Sequence, residues 1–129
     1  IDIKKIAFIT TNKILVQSLA VAMKAMPDME FEIFMLFNSQ QALLDAEVFE
    51  VDVALIDVVG NGPEKKITQL SFCEGLHKRL PNCHILLLVS QDDLASRKMA
   101  AEAKQKKIVE DFVFYDASLK YLFAKLAAF

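Results

Sequence analysis

Glycine and proline are scarce in this chain, with three of each among 129 residues; tryptophan is absent and cysteine occurs twice. Each scarcity excludes something. No Gly-x-Gly-x-x-Gly turn is available to cradle a dinucleotide pyrophosphate. Two cysteines, Cys73 and Cys83, do not make a disulfide scaffold. They read as reduced thiols of a cytosolic chain. Together with His77 and His84 they offer no Cys-x-x-Cys pair for zinc. No apolar run approaches the roughly 18 residues that span a bilayer, and Ile85 to Val89 is among the longest. The opening Ile1-Asp2-Ile3-Lys4-Lys5 is not a secretory signal peptide. It lacks an initiator Met, so the chain reads as one domain, residues 1–129, excised from a longer protein.

Excess charge of one sign is missing too. Lys and Arg total 15 against 17 Asp and Glu, a net charge of −2. That balance argues against broad nucleic-acid contact through phosphates. The one basic cluster, Lys104, Lys106 and Lys107, falls at the end of an expected helix, where it complements the helix dipole. What is plentiful is apolar: 54% of residues are hydrophobic and 25% charged, with a mean hydropathy of +0.32. Such a chain is ordered, buries strands on both faces and keeps apolar surface for a partner.

Short apolar runs alternate with longer segments of helical period. Lys5–Ile9 reads as the first strand. A helix capped by Asn12 follows, with Leu15, Leu19, Ala22 and Met26 on its buried face, and Pro27-Asp28 ends it. Glu32–Phe37 is the second strand, and Ser39 opens a helix to about Phe49. Val51–Val59 holds the third strand. The Gly60-Asn61-Gly62-Pro63 cluster marks a loop from Val58 to Leu70, followed by a short helix over about Ser71–Leu80. His84–Val89 is the fourth strand. A helix from Ser90 to about Lys107 follows, with Ser90-x-x-Asp93 as its capping box. Asp111–Tyr115 is the fifth strand. The last helix, Ala117–Phe129, covers the sheet with Leu119, Leu122, Phe123 and Leu126, leaving Tyr121 and Phe129 off that stripe.

Five strands alternating with five helices predict an α/β fold. Right-handed crossovers then favour a doubly wound five-stranded parallel sheet in the flavodoxin-like order 2-1-3-4-5, with helices on both faces. Functional groups of such a sheet gather at the carboxyl ends of its strands. Those ends carry Thr10 and Thr11, Asp57, Ser90, and Tyr115 with Asp116. On its plainest reading, Asp57 is a solvated strand-end carboxylate or one bonded to nearby backbone N–H groups. Thr10 and Thr11 can bond the turn backbone or Asp57. Tyr115 keeps its hydroxyl near water, and His77 lies on the surface. The five methionines fill core or form an adaptable contact surface.

The segment Val51-Asp52-Val53-Ala54-Leu55-Ile56-Asp57 resembles the response-regulator receiver family, in which a Pro-Asp-apolar-Asp strand ends in the aspartate that accepts a phosphoryl group. The resemblance runs through the whole chain in the order and length of its elements. It includes Asn12 after the first strand and Ser90 at the end of the fourth. The departures lie at the site. Thr10 and Thr11 stand where receivers carry the acidic pair that holds Mg²⁺. Tyr115 and Asp116 stand where receivers carry Lys and Pro. The Met-Pro and Asp-Gly that usually follow the acceptor are missing.

Phosphoryl transfer to a carboxylate gathers negative oxygens that metal and Lys normally neutralise. Removing one unit charge about 4 Å away changes the interaction by roughly 4 kcal/mol at an effective dielectric of about 20. The resemblance therefore implies a non-enzymatic, receiver-like domain of a two-component phosphorelay, with Mg²⁺-dependent phosphorylation impaired or absent. It would act through a protein partner or output domain. No cofactor is implied. The alternative is a working phospho-acceptor, with Asp57 as nucleophile, Ser90 on the phosphoryl oxygens and Mg²⁺ bound. A further alternative is a flavodoxin-like nucleotide- or flavin-binding domain, for which Thr10-Thr11-Asn12-Lys13 supplies hydroxyls but no glycine. By analogy, the partner surface is the fourth helix, fifth strand and fifth helix, where Tyr121 and Phe129 can anchor a homodimer or a neighbouring domain.

Overall fold

The apolar runs do become strands. The computed structural model describes residues 3–10, 13–25, 30–36, 39–58, 63–114 and 119–128. In chain order the elements are β1 (Lys4–Ile9), α1 (Lys13–Lys24), β2 (Phe31–Leu36), α2 (Ser39–Phe49), β3 (Val53–Asp57), α3 (Pro63–Arg79), β4 (His84–Val89), α4 (Leu94–Gln105), β5 (Asp111–Phe114) and α5 (Leu119–Ala128). The strands form one parallel sheet in the order β2-β1-β3-β4-β5, as the alternation predicts. Among the described residues no helix is long and apolar enough to cross a membrane.

Because side chains alternate along a strand, the sheet divides the interior in two. Ile6, Phe8, Val53, Leu55, Leu86, Leu88 and Val113 pack with Val16, Leu19 and Met23 of α1 and with Leu122 and Leu126 of α5. On the other face, Ala7, Ile9, Ala54, Ile56, Ile85, Leu87 and Val89 pack with α2, α3 and α4 through Ala42, Ala46, Cys73, Leu76, Met99, Ala100 and Ala103. The three central strands are buried almost throughout, which accounts for their unbroken apolar sequences. Cys73 and Cys83 are free and buried, and burial pushes both thiols up to about 12.

Three local expectations are corrected. α3 begins at Pro63, not near Ser71, so most of the expected loop is helix. Proline suits the first helical position because its fixed φ is helical and its missing N–H is not needed there. The second correction concerns α1. Leu19 is buried as expected, with Val16, Ala20 and Met23 beside it, while Ala22 is half-buried; the Leu15 side chain and Met26 lie outside the described residues. The helix is apolar nearly all round, leaving Ile14 and Val21 exposed, so more than one stripe fits its sequence.

Third, α4 is capped by Asp93 rather than Ser90. The Asp93 carboxylate accepts from the Ser96 N–H at 3.3 Å and from the Ser96 hydroxyl at 2.6 Å. Ser90 instead contributes its carbonyl to the turn before the helix, accepting from the Asp93 N–H at 3.3 Å. An acidic cap both satisfies an orphan N–H and faces the positive end of the helix dipole.

Two helices end in the same motif without glycine. After α2, Glu50 has φ 54° and its N–H donates to the Glu47 carbonyl, while Val51 N–H reaches back to Ala46. After α4, Lys107 has φ 62°, bonds Lys104, and Ile108 N–H reaches Ala103. This paired bonding closes the last carbonyls of a helix through a left-handed residue, a place where glycine is usual.

Candidate functional site

Asp57 is the last residue of β3, paired in register with Leu88 of β4. Alternation sets its side chain on the same face as Val53 and Leu55, toward α1 and α5, and it is only 4% exposed. The plain reading of a solvated carboxylate is therefore corrected: the strand parity that buries Leu55 also buries Asp57. Its hydrogen bond comes from a side chain. Thr10, directly after β1 and also buried, donates its hydroxyl to Asp57 Oδ2 at 2.9 Å. The other oxygen, Oδ1, is buried with no hydrogen-bond partner among the described residues.

Among the described residues, Phe8, Val16, Leu19, Leu55 and Leu88 line, with Thr10 and Asp57, a partly open hollow of about 10 Å³, room for one water-sized sphere. Burial raises the pKa of Asp57 above its ordinary value, and the Thr10 hydrogen bond opposes this only in part. Ionising this carboxyl therefore costs more than ionising a free one.

Mg²⁺ binds hard oxygens in a near-octahedral shell and keeps several waters. Among the described residues, Asp57 does not join two other His, Cys, Asp or Glu side chains in a group able to hold a metal ion. The described residues do not fit this metal.

Of the other strand-end candidates, Ser90 follows β4, is half-buried and gives no hydrogen bond to Asp57. Thr11, Tyr115 and Phe129 lie outside the described residues, as do Asn12 and Asp116. Tyr121 of α5 is 51% exposed, with Lys125 Nζ 5.4 Å from its ring centre. His77 is exposed, and the His84 ring lies 3.3 Å from Glu110. The apolar wall of Phe8, Val16 and Leu88 was not read from the sequence. The Val53-Leu55-Asp57 parity carried the signal for it.

A second polar constellation ties the edge opposite β2. Asp111, at the start of β5, accepts from Lys104 of α4 at 3.0 Å and from Lys125 of α5. Its own carboxylate also accepts from the Phe112 N–H at 2.8 Å. Partial burial pushes the Asp111 pKa up, but the bonds from Lys125, Lys104 and Phe112 together outweigh it and hold the group below its ordinary value. One carboxylate thus links all three elements of the face expected to meet a partner.

No family model matches the sequence, and no curated protein matches it. The fold, by contrast, is similar to many solved structures, and those described are response regulators or signal receiver domains. The signal receiver domain of an HD domain-containing protein from Pseudomonas fluorescens superposes with a TM-score of 0.76 at 17% identity, covering 98% of this chain and 94% of that one. A CheY-like response regulator receiver domain from Methanospirillum hungatei gives 0.73 at 15%, covering 98% and 93%. A response regulator from Burkholderia pseudomallei, solved with a phosphorylated aspartic acid and calcium, gives 0.73 at 21%. There the match covers 95% of this chain and 66% of that one. The chain has the receiver fold, in the flavodoxin-like strand order.

Proposed function

We propose that this chain is a receiver-like module of a two-component pathway that signals by contact with a protein partner or output domain, without Mg²⁺-dependent phosphorylation of Asp57. The observation that carries this reading is the setting of Asp57: buried, lined among the described residues by apolar side chains, and bonded by a neutral threonine in place of a cation. Phosphoryl transfer needs an exposed carboxylate with cations to neutralise the oxygens that gather there. The receiver fold supports the signalling class, and three neighbours belong, by their descriptions, to an HD domain-containing protein, a modulated diguanylate cyclase and a DNA-binding response regulator. The contact surface we assign is α4–β5–α5, braced by Asp111 and bearing the exposed Tyr121.

Incubation with acetyl phosphate and Mg²⁺, followed by intact-mass measurement, tests the proposal. The mass should stay unchanged. An added phosphoryl group that disappears in Asp57→Asn would establish the working phospho-acceptor instead. Thermal stabilisation by flavin mononucleotide would favour the flavin-binding alternative.

A further inference from the structure

β2 forms one rim of the sheet and β5 the other, and the two rims are finished differently. β5 is four residues long and opens on Asp111 between Lys104 and Lys125, while Arg97 lies 5.8 Å from the Phe114 ring centre. Short length and charge are the usual means of keeping a rim from pairing. β2 is six residues, Phe31-Glu32-Ile33-Phe34-Met35-Leu36, in unbroken register with β1, with no Lys, no Pro and a single charge. Nothing among the described residues pairs with its outer side.

The direction of its main chain can be read off. The Glu30 carbonyl accepts from the Lys4 N–H at 3.1 Å, so Glu30 faces β1. Successive residues of a strand alternate sides. Phe31, Ile33 and Met35 therefore aim their N–H and C=O groups outward, symmetrically about Ile33. Beside them Met35 is 42% exposed, Val48 67%, and Phe49, stacked on Phe34 with ring centres 4.4 Å apart, 37%.

We propose that a second copy of this chain pairs here, β2 against β2, antiparallel about a two-fold axis at Ile33, joining two five-stranded sheets into one. In that register Ile33 meets the partner's Ile33 and Phe31 meets the partner's Met35. Every outward N–H and C=O of the strand then has a partner. Glu32 falls opposite the partner's Phe34, so the two Glu32 carboxylates do not face each other directly. The arrangement is self-complementary, as a closed two-fold interface requires. Covering the strand's outer side with the exposed Met35, Val48 and Phe49 buries less than the roughly 800 Å² per partner of a standard interface. Association is accordingly dependent on concentration. This surface is distinct from α4–β5–α5, so the pairing stands or falls apart from the signalling proposal.

Light scattering after size exclusion, with loading from about 10 to about 200 µM, should show the mass rising from 14.5 kDa toward twice that value. Ile33→Pro removes an outward N–H while leaving the β1 ladder intact, a place where an edge strand accepts proline. It should stay monomeric across the range with an unchanged far-ultraviolet spectrum. Met35→Lys leaves the main chain untouched and should weaken pairing at least about tenfold, which keeps the test open if Ile33→Pro fails to fold. A wild-type chain that is monomeric at the highest loading overturns the proposal. So does a dimer that survives Met35→Lys unchanged.

Discussion

Replacing Asp57 with Asn removes a charge from an apolar enclosure while keeping an oxygen to accept from Thr10. The carboxylate is 4% exposed, Oδ1 has no partner among the described residues, and one 2.9 Å hydrogen bond is its compensation. A buried polar group without its bond costs about 1–3 kcal/mol, and more when charged. Asn leaves an equally unpartnered amide in place of Oδ1, so only the extra cost of the charge is recovered: Asp57→Asn should stabilise the fold at pH 7 by about 1 kcal/mol, raising Tm by about 3–6 °C. The pH dependence has a definite sign. Burial raises the folded-state pKa above the ordinary 3.8, so the folded chain holds this proton more tightly than the unfolded one. The destabilisation from Asp57 is then absent below the unfolded value. It grows as pH rises above that value, at up to about 1.4 kcal/mol per pH unit, and levels off above the folded pKa. Urea unfolding of both proteins from pH 3.5 to 8 isolates this term, because the other carboxylates cancel in the difference. A variant less stable than wild type at pH 7, or a difference that does not depend on pH, refutes the buried, unpaired carboxyl.

Two further outcomes test the frame around the site. Asp111→Asn keeps the shape of the link among α4, β5 and α5 but loses its charge, and should cost about 1–2 kcal/mol, discounted for the half-exposed Lys104. The Asp111 contribution has the opposite pH sign to that of Asp57. Its folded pKa is lowered, so it stabilises above the unfolded value and is lost as pH falls through the folded one, which acid titration of the variant against wild type will show. Lys107→Gly and Glu50→Gly should each stabilise by about 0.5–1 kcal/mol in chemical denaturation, since both residues occupy left-handed backbone.

The layered order of the fold was legible because the central strands are buried on both sides and so read as continuous apolar runs, with helical periods between them. Finer features were ambiguous for physical reasons. Around the start of α4, Ser90-x-x-Asp93 and Asp93-x-x-Ser96 are both acceptable caps, and local chemistry alone does not choose between them. In α1 the apolar character of Ile14 and Val21 hid the stripe that faces the sheet. Pro63 closes the Gly60-Asn61-Gly62 cluster of loop formers, yet proline equally suits the first turn of α3. At the site, the Thr10 substitution was visible in the sequence and its proximity to Asp57 was within expectation. The depth of Asp57 follows from its parity with Val53 and Leu55 rather than from its place at a strand end, where solvent is the ordinary neighbour.

Lys4 at the head of β1 donates its ammonium to the Leu126 carbonyl near the close of α5, a 3.0 Å bond spanning 122 positions of sequence. The start of β1 and the end of α5 are thereby latched together. A short bridging peptide there, with new ends opened in an exposed turn elsewhere, should yield a circularly permuted protein with the same architecture. By the same geometry, the unit can be spliced into a larger polypeptide while hardly separating the segments on either side of it.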